Sequence, residues 1–175
     1  MEPESVSVVT SKPIYRSEIS DAPCAYSLFI CEQLSTAFSD LYQSKTVAKK
    51  DLVDDGDLDS VKDQSVRLLA DAPAATLVYL SGTEKYMWLV GEQLKALGVT
   101  EDQMVMLPPL NTERSVFCCH CYTVTDHVVT APATCAGCGK LLAVTDHFAK
   151  SHAAYFGYQV NAENATEIPE SVELS

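Results

Sequence analysis

Basic residues are scarce in this chain. Twelve Lys and Arg stand against 24 Asp and Glu, a formal charge of −12. Phosphate backbones are bound by Lys and Arg, so this balance disfavours a nucleic-acid partner. No apolar run approaches the ~20 residues that cross a bilayer as a helix. The stretch Met1–Ser11 is polar and acidic, without the basic n-region and apolar h-region of a secretory signal. There is one tryptophan, Trp88, and no internal repeat. The first strand-like segment runs into Glu32-Gln33-Leu34, with none of the clustered glycines that let a backbone approach a dinucleotide pyrophosphate.

Cysteine is plentiful. Seven cysteines in a chain read as unexported imply reduced thiols and metal ligands in a cytoplasmic protein, not disulfides. Four of them form two C-x-x-C pairs, Cys118-Cys119-His120-Cys121 and Cys135-Ala136-Gly137-Cys138, with thirteen residues between Cys121 and Cys135. That is zinc-ribbon spacing: each pair sits on a tight turn and offers two thiolates to one tetrahedral ion. Gly139 follows the second pair, where such turns need φ > 0, whereas Tyr122 follows the first and marks it as the less regular knuckle. Four thiolates leave no open coordination position, so the metal bound by Cys118, Cys121, Cys135 and Cys138 is read as structural Zn²⁺. Rubredoxin-type iron uses the same paired knuckles and is the alternative. Cys24 and Cys31 fall in an apolar stretch and read as core residues. His120 reads as a turn residue, and Cys119 could ligate only by distorting its knuckle.

Along the chain, Tyr26–Cys31 reads as a buried strand, Gln33–Gln43 as a helix with Leu34, Phe38, Leu41 and Tyr42 on one face, and Asp51–Asp59 as an acidic loop. Leu58, Val61, Leu68 and Leu69 mark a second helix ending before Pro73. Thr76–Leu80 is a second strand. A third helix has the apolar face Met87, Val90, Leu94 and Leu97, with Gly98 as its C-terminal stop. Met104–Leu107 is a third strand. Alternating strands and helices imply a small parallel-sheet α/β domain with right-handed crossovers. The organisation expected is an N-terminal arm at 1–24, the α/β domain at 25–110, a zinc-ribbon module at 111–160 and an acidic tail at 161–175. The tail is either disordered or ordered only against a partner.

Two resemblances bear on function. Leu77–Gly82, Trp88–Val99 and Glu101–Val105 resemble the last β-α-β unit of ferredoxin–NADP reductase domains, with Ser81-Gly82-Thr83 standing where that family has Cys-Gly-Pro. This implies a reductase-like fold that has lost NADPH binding. The second resemblance rests on Cys118-x-His120-Cys121, Cys135-x-Gly-Cys-Gly139, Leu141–Phe148 and Ala154–Tyr158. These are similar to the C-terminal region of the small subunit of bacterial dimethylamine monooxygenase, a haem-dependent oxidative N-demethylase, over about residues 115–160. That family's enzyme is an NADPH-dependent complex converting dimethylamine and O₂ to methylamine and formaldehyde. Haem, flavin (FMN), an iron–sulfur cluster and tetrahydrofolate lie on its other subunits.

The resemblance implies a zinc-binding accessory subunit of an oxidoreductase. It docks to a haem-binding catalytic subunit, a flavin and iron–sulfur reductase subunit and a tetrahydrofolate-binding subunit. No catalytic and no cofactor-binding residue is assigned to this chain, and no membrane contact. The readings from other classes are a rubredoxin-like iron electron carrier and a zinc-ribbon adaptor. The charges between Glu113 and Val160 balance, and Tyr155, Phe156 and Tyr158 follow the ribbon, a composition that suits core packing or a docking surface. Trp88 is read as an interface anchor or as packing under the acidic loop. Asp146-His147 reads as structural hydrogen bonding or a subunit contact rather than acid–base chemistry.

Overall fold

A computed structural model describes residues 11–16, 22–164 and 168–174. The chain divides into two compact units, Tyr15–Glu113 and Arg114–Ser175, with Met1–Ile14 belonging to the second.

The α/β unit is a four-stranded, all-parallel sheet in the order β2-β1-β3-β4, formed by β1 (Tyr26–Cys31), β2 (Lys49–Asp54), β3 (Thr76–Ser81) and β4 (Met104–Met106). The helices between them are α1 (Thr36–Ser44), α2 (Leu58–Leu69) and α3 (Glu84–Ala96). β1 and β3 are buried along their whole length, as central parallel strands covered on both faces must be. One face carries Leu28, Ile30, Val78 and Leu80 under Val61 of α2 and Met87, Val90 and Leu94 of α3. The other carries Phe29, Cys31 and Tyr79 under Phe38, Leu41 and Tyr42 of α1. The sides follow from handedness. β1 to β2 steps one way along the sheet and the next two connections step the other way, so α1 lies opposite α2 and α3. Each helix starts on a side-chain cap: Ser35, Asp57 and Thr83 accept the N–H of Phe38, Ser60 and Tyr86. Gly98 at φ 92° closes α3, donating to Lys95 O.

Four expectations need correction here. The acidic loop at Asp51–Asp59 is in its first half the strand β2, and its remainder leads into α2. β2 is an edge strand with Val53 as its one buried residue, so it lacks the apolar run of a central strand. Trp88 is no free anchor. It is buried, and its Nε1 donates to the Tyr15 hydroxyl (3.1 Å), which itself donates to Glu84 Oε1 (2.5 Å). Tyr15 and Arg16, assigned to an arm, thus pack on the α/β unit, and the Arg16 N–H extends the sheet edge by donating to Met106 O (2.9 Å). Residues 1–10 and 17–21 of that expected arm lie outside the described residues. Leu97, placed on the apolar face of α3, is instead its partly exposed C-cap.

The C-terminal unit is a five-stranded sheet in the order β6-β5-β10-β9-β8, from β5 (Arg114–Cys118), β6 (Val124–Val128), β8 (Ala133–Thr134), β9 (Leu141–Ala149) and β10 (Ala154–Gln159). β5 and β6 form one antiparallel hairpin, and β8 and β9 another. β10 lies between β5 and β9, parallel to the first and antiparallel to the second. A side ladder joins β7 (Thr130–Ala131) to β11 (Val172–Glu173). The tail is therefore not structureless among its described residues: Val172–Glu173 pairs with the chain's own strand, Leu174 N–H donates to Val129 O (2.8 Å), and the Leu174 side chain packs on the core of this unit.

Candidate metal centre

The two hairpin turns of the C-terminal unit carry the cysteines. Cys118 ends β5, Cys135 follows β8, and the strands between them, β10 and β9, run so that both turns lie at one end of the sheet. The backbone of the two turns is the same. The N–H of Tyr122 donates to Cys118 O (2.9 Å) and that of Gly139 to Cys135 O (3.0 Å); the N–H of Cys118 donates to Thr123 O (3.0 Å) and that of Cys135 to Lys140 O (2.9 Å). Tyr122 at φ 62° matches Gly139 at φ 70°. The expectation of a less regular first knuckle is thus overturned. The turn geometry is kept, and a tyrosine holds a left-handed conformation that glycine holds without steric cost.

The four Sγ atoms of Cys118, Cys121, Cys135 and Cys138 all lie within 4.8 Å of one another. Across the knuckles, Cys118 and Cys138 are 3.8 Å apart and Cys121 and Cys135 are 3.5 Å apart. Tetrahedral Zn–S bonds of about 2.3 Å place sulfurs about 3.8 Å from each other, so the thiols fit one such ion. Electrostatics points the same way. Hydrogen bonds from the side chain and backbone of Thr123 pull the Cys121 thiol down to about 6. Burial works against ionisation of Cys135, but the N–H groups of Cys138 and Gly137 donate to its sulfur and the balance falls below the ordinary thiol value. At Cys138 the Lys140 N–H favours the thiolate, yet burial and the three neighbouring sulfurs push it up to about 11. Four adjacent sulfurs do not all ionise unless a cation offsets their charge.

The site continues into the core. Cys118 and Cys135 are buried with Val116, Val128, Ala133 and Leu142. Gly157 on β10 makes room beneath the knuckles: a Cβ there would lie 2.6 Å from Val116 Cγ1 and 3.0 Å from Leu142 Cδ1. Gly137 makes room between them, since its Cβ would fall 2.3 Å from Thr123 Oγ1. Thr123 and these two glycines are not singled out by the C-x-x-C spacing; Gly137, in the x-x of the second pair, was the available signal.

Among the other cysteines, Cys119 stands outside the cluster with its thiol beside the Tyr158 hydroxyl, and its N–H donates to Gly157 O (3.0 Å). His120 is exposed and also outside the cluster. Cys31 is fully buried, donates to Val53 O and Asp54 Oδ1 (3.6 Å each), and is pushed up to about 12 by burial and then by Asp54. Cys24 packs at the edge of the same core. Asp146 and His147 are divided between two faces of the sheet. Asp146 pairs with Arg114 (3.6 Å) and Lys12 (3.9 Å), and the Arg114 guanidinium lies over the Tyr155 ring at 4.5 Å. His147 packs edge-on against Phe156 at 4.7 Å. The aromatics after the ribbon divide as well: Tyr155 is core, whereas Phe156 and the half-exposed Tyr158 face outward. Phe117 completes this outer face, stacked on His152 at 4.4 Å and edge-on to Phe156 at 5.6 Å.

Residues 115–158, the segment that builds this centre, match the family described as dimethylamine monooxygenase subunit DmmA-like, C-terminal domain. Over 110 residues the chain is 32% identical to the heme-dependent oxidative N-demethylase delta subunit of Ectopseudomonas mendocina (strain ymp). The aligned part is 61% of this chain and 63% of that relative, so the chain spans under two thirds of the relative's length. No solved structure matches the chain. The resemblance read from Cys118–Tyr158 is borne out: the chain is similar to a DmmA-like subunit.

Proposed function

We propose that the chain is a non-catalytic accessory subunit of a haem-dependent amine N-demethylase, held in shape by a structural Cys₄ zinc and acting in assembly and docking. The observation that carries this reading is the coincidence of the matched segment, 115–158, with the four converging thiols. Zinc in the site would supply no chemistry to substrate, because Cys118, Cys121, Cys135 and Cys138 fill a tetrahedral shell. It would tie the β5–β6 hairpin to the β8–β9 hairpin and, through Cys118 and Cys135, to the core.

Haem, FMN, the iron–sulfur cluster, NADPH and tetrahydrofolate would belong to partner subunits, and the α/β unit would be a reductase-like fold without NADPH. The seven free thiols suit a reducing compartment, the cytoplasm. The partners would be the haem-binding subunit, the flavin and iron–sulfur subunit and the tetrahydrofolate-binding subunit. The outward face of Phe117, Phe156 and Tyr158 would offer the docking surface.

Two measurements test this. Metal analysis of the purified chain should give about one zinc per chain, lost in Cys135→Ser with local unfolding around the knuckles. Pull-down of the tagged chain from its own host should recover a haem-containing complex that demethylates dimethylamine. A reddish protein with stoichiometric iron and a thiolate-to-iron absorption spectrum would favour the rubredoxin-like electron carrier instead.

A further inference from the structure

Open parallel sheets take ligands at their carboxyl edge, in the crevice where successive connections leave in opposite directions. In the α/β unit that point lies between β1, which feeds α1 on one face, and β3, which feeds α3 on the other. A phosphate at such a point binds the free N–H groups of a helix N-terminus. Here the approach to those N–H groups is occupied by a carboxylate of the chain itself. Glu32 follows β1 directly, and its Oε2 accepts the N–H of Thr83, the N-cap of α3, at 2.6 Å. The Glu32 N–H donates to Ser81 O (2.9 Å), which ties the residue across the crevice. Asp54 at the end of β2 accepts the Leu34 N–H ahead of α1 (2.9 Å), and Asp57 caps α2 through the Ser60 N–H (2.8 Å). A carboxylate of the chain thus caps α2 and lies just ahead of α1 and α3, beside the Ser35 and Thr83 hydroxyls that cap those two helices.

Gly82 completes the arrangement. A Cβ there would lie 2.6 Å from Tyr86 Cδ1, 2.9 Å from Glu32 Cβ and 3.0 Å from Glu32 Oε2. The space beside the turn, which in a phosphate-binding loop receives the ligand, is filled by the Glu32 side chain. With Asp54 and Asp55 close by, a bound phosphate would meet both an occupied position and like charge.

We infer that Glu32 is an internal anion that closes the crevice of the α/β unit, which makes this parallel-sheet unit a protein scaffold sealed against phosphate ligands. The test is an amide ¹H–¹⁵N titration of the full chain with inorganic phosphate and, separately, with NADPH, accompanied by thermal melts. In the wild type the Thr83 resonance stays in place with either ligand. In Glu32→Ala it moves with phosphate, and the melting midpoint rises with phosphate concentration. Glu32→Gln keeps an acceptor oxygen for Thr83 and stays closed. Where Glu32→Ala does not fold, Glu32→Ser is judged by the same two readouts. Movement of Thr83 in the wild type with either ligand overturns the inference, as does a folded alanine or serine variant indifferent to phosphate.

Discussion

Tyr122 and Gly139 occupy equivalent places in the two cysteine knuckles: each follows the second cysteine of its pair, each is left-handed, and each donates its N–H to the first cysteine's carbonyl. The conformation suits one of them. Tyr122 is 72% exposed, so its ring gains little from burial, while its backbone carries the left-handed penalty of a residue with a Cβ. Replacing Tyr122 by Gly should therefore stabilise the chain by about 0.5–1 kcal/mol after glycine's greater chain entropy is subtracted. Gly139→Ala, which meets nothing within 4 Å, should lose about 1 kcal/mol by strain alone. Urea denaturation of the zinc-loaded protein reads both. A Tyr122→Gly chain less stable than wild type would mean that the ring's contact with Phe117 outweighs the backbone term.

Gly137 answers to a different constraint, that of space. Its Cβ would fall within 2.3–3.1 Å of three Thr123 side-chain atoms. Thr123 also hydrogen-bonds the Cys121 sulfur, so it cannot move aside without disturbing one of the four clustered thiols. Gly137→Ala should cost about 1–3 kcal/mol, the range for overpacking, and should speed zinc release to a chelator more than Gly139→Ala does. Equal release rates from the two variants would show that Thr123 swings clear at no cost to the site.

The parts of this fold that were legible in the sequence are those where one physical demand acts alone. β1 and β3 are buried on both faces, so continuous apolar runs reveal them, and tetrahedral thiolate coordination imposes the C-x-x-C spacing. Where two demands compete, the pattern blurs. Lys49–Asp54 is a strand, but at the sheet edge it buries Val53 alone and leaves its other side chains half-buried or exposed, so Asp51–Asp54 reads as the start of an acidic loop. Trp88 stayed open between interface anchor and packing under the acidic loop because its actual partner, Tyr15, is 73 residues away in sequence. Tyr122 looked irregular because composition shows the strain and not the hydrogen bonds that impose it. The pairing of β10 between β5 and β9 has no local signature, since parallel neighbours far apart in sequence are chosen by the packing of Val116, Gly157 and Leu142.

Asp55 gives a pH signature. Its carboxylate accepts from the Ser60 hydroxyl (2.6 Å), the Asp57 N–H (2.9 Å) and Gln64 Nε2 (3.1 Å), and these bonds, that of Ser60 first, hold its pKa below the ordinary value. A carboxyl depressed on folding adds stability above its unfolded pKa, about 3.9, and loses it as the pH falls through the folded value. Asp55→Asn should thus be less stable than wild type at neutral pH, with the gap closing below about pH 4. Melting curves of both proteins across this range provide the comparison. A gap of constant size down to acid pH would assign the cost to lost hydrogen-bond geometry and not to the charge.

The outer face of the C-terminal sheet supplies the last prediction. Along β10, Tyr155 turns into the core beneath Arg114, while Phe156 and Tyr158 point outward beside Phe117 and His147. Substituting Phe156 and Tyr158 together by Ala removes aromatic surface that the unit's own core does not bury, so the isolated chain should keep its fold and the proposed metal content. If the face docks to the haem or reductase subunit, the complex should weaken by about 2 kcal/mol or more, as buried aromatics do at interface centres. Tyr155→Ala, by contrast, removes a core ring and the surface under Arg114, and should destabilise the isolated chain by about 3–5 kcal/mol. Co-expression with the partner subunits followed by size exclusion separates the two effects. Loss of assembly by the double variant with an unchanged melting temperature supports docking through this face. An intact complex with a lowered melting temperature instead makes Phe156 and Tyr158 part of the fold's own support, and moves the interface away from β10.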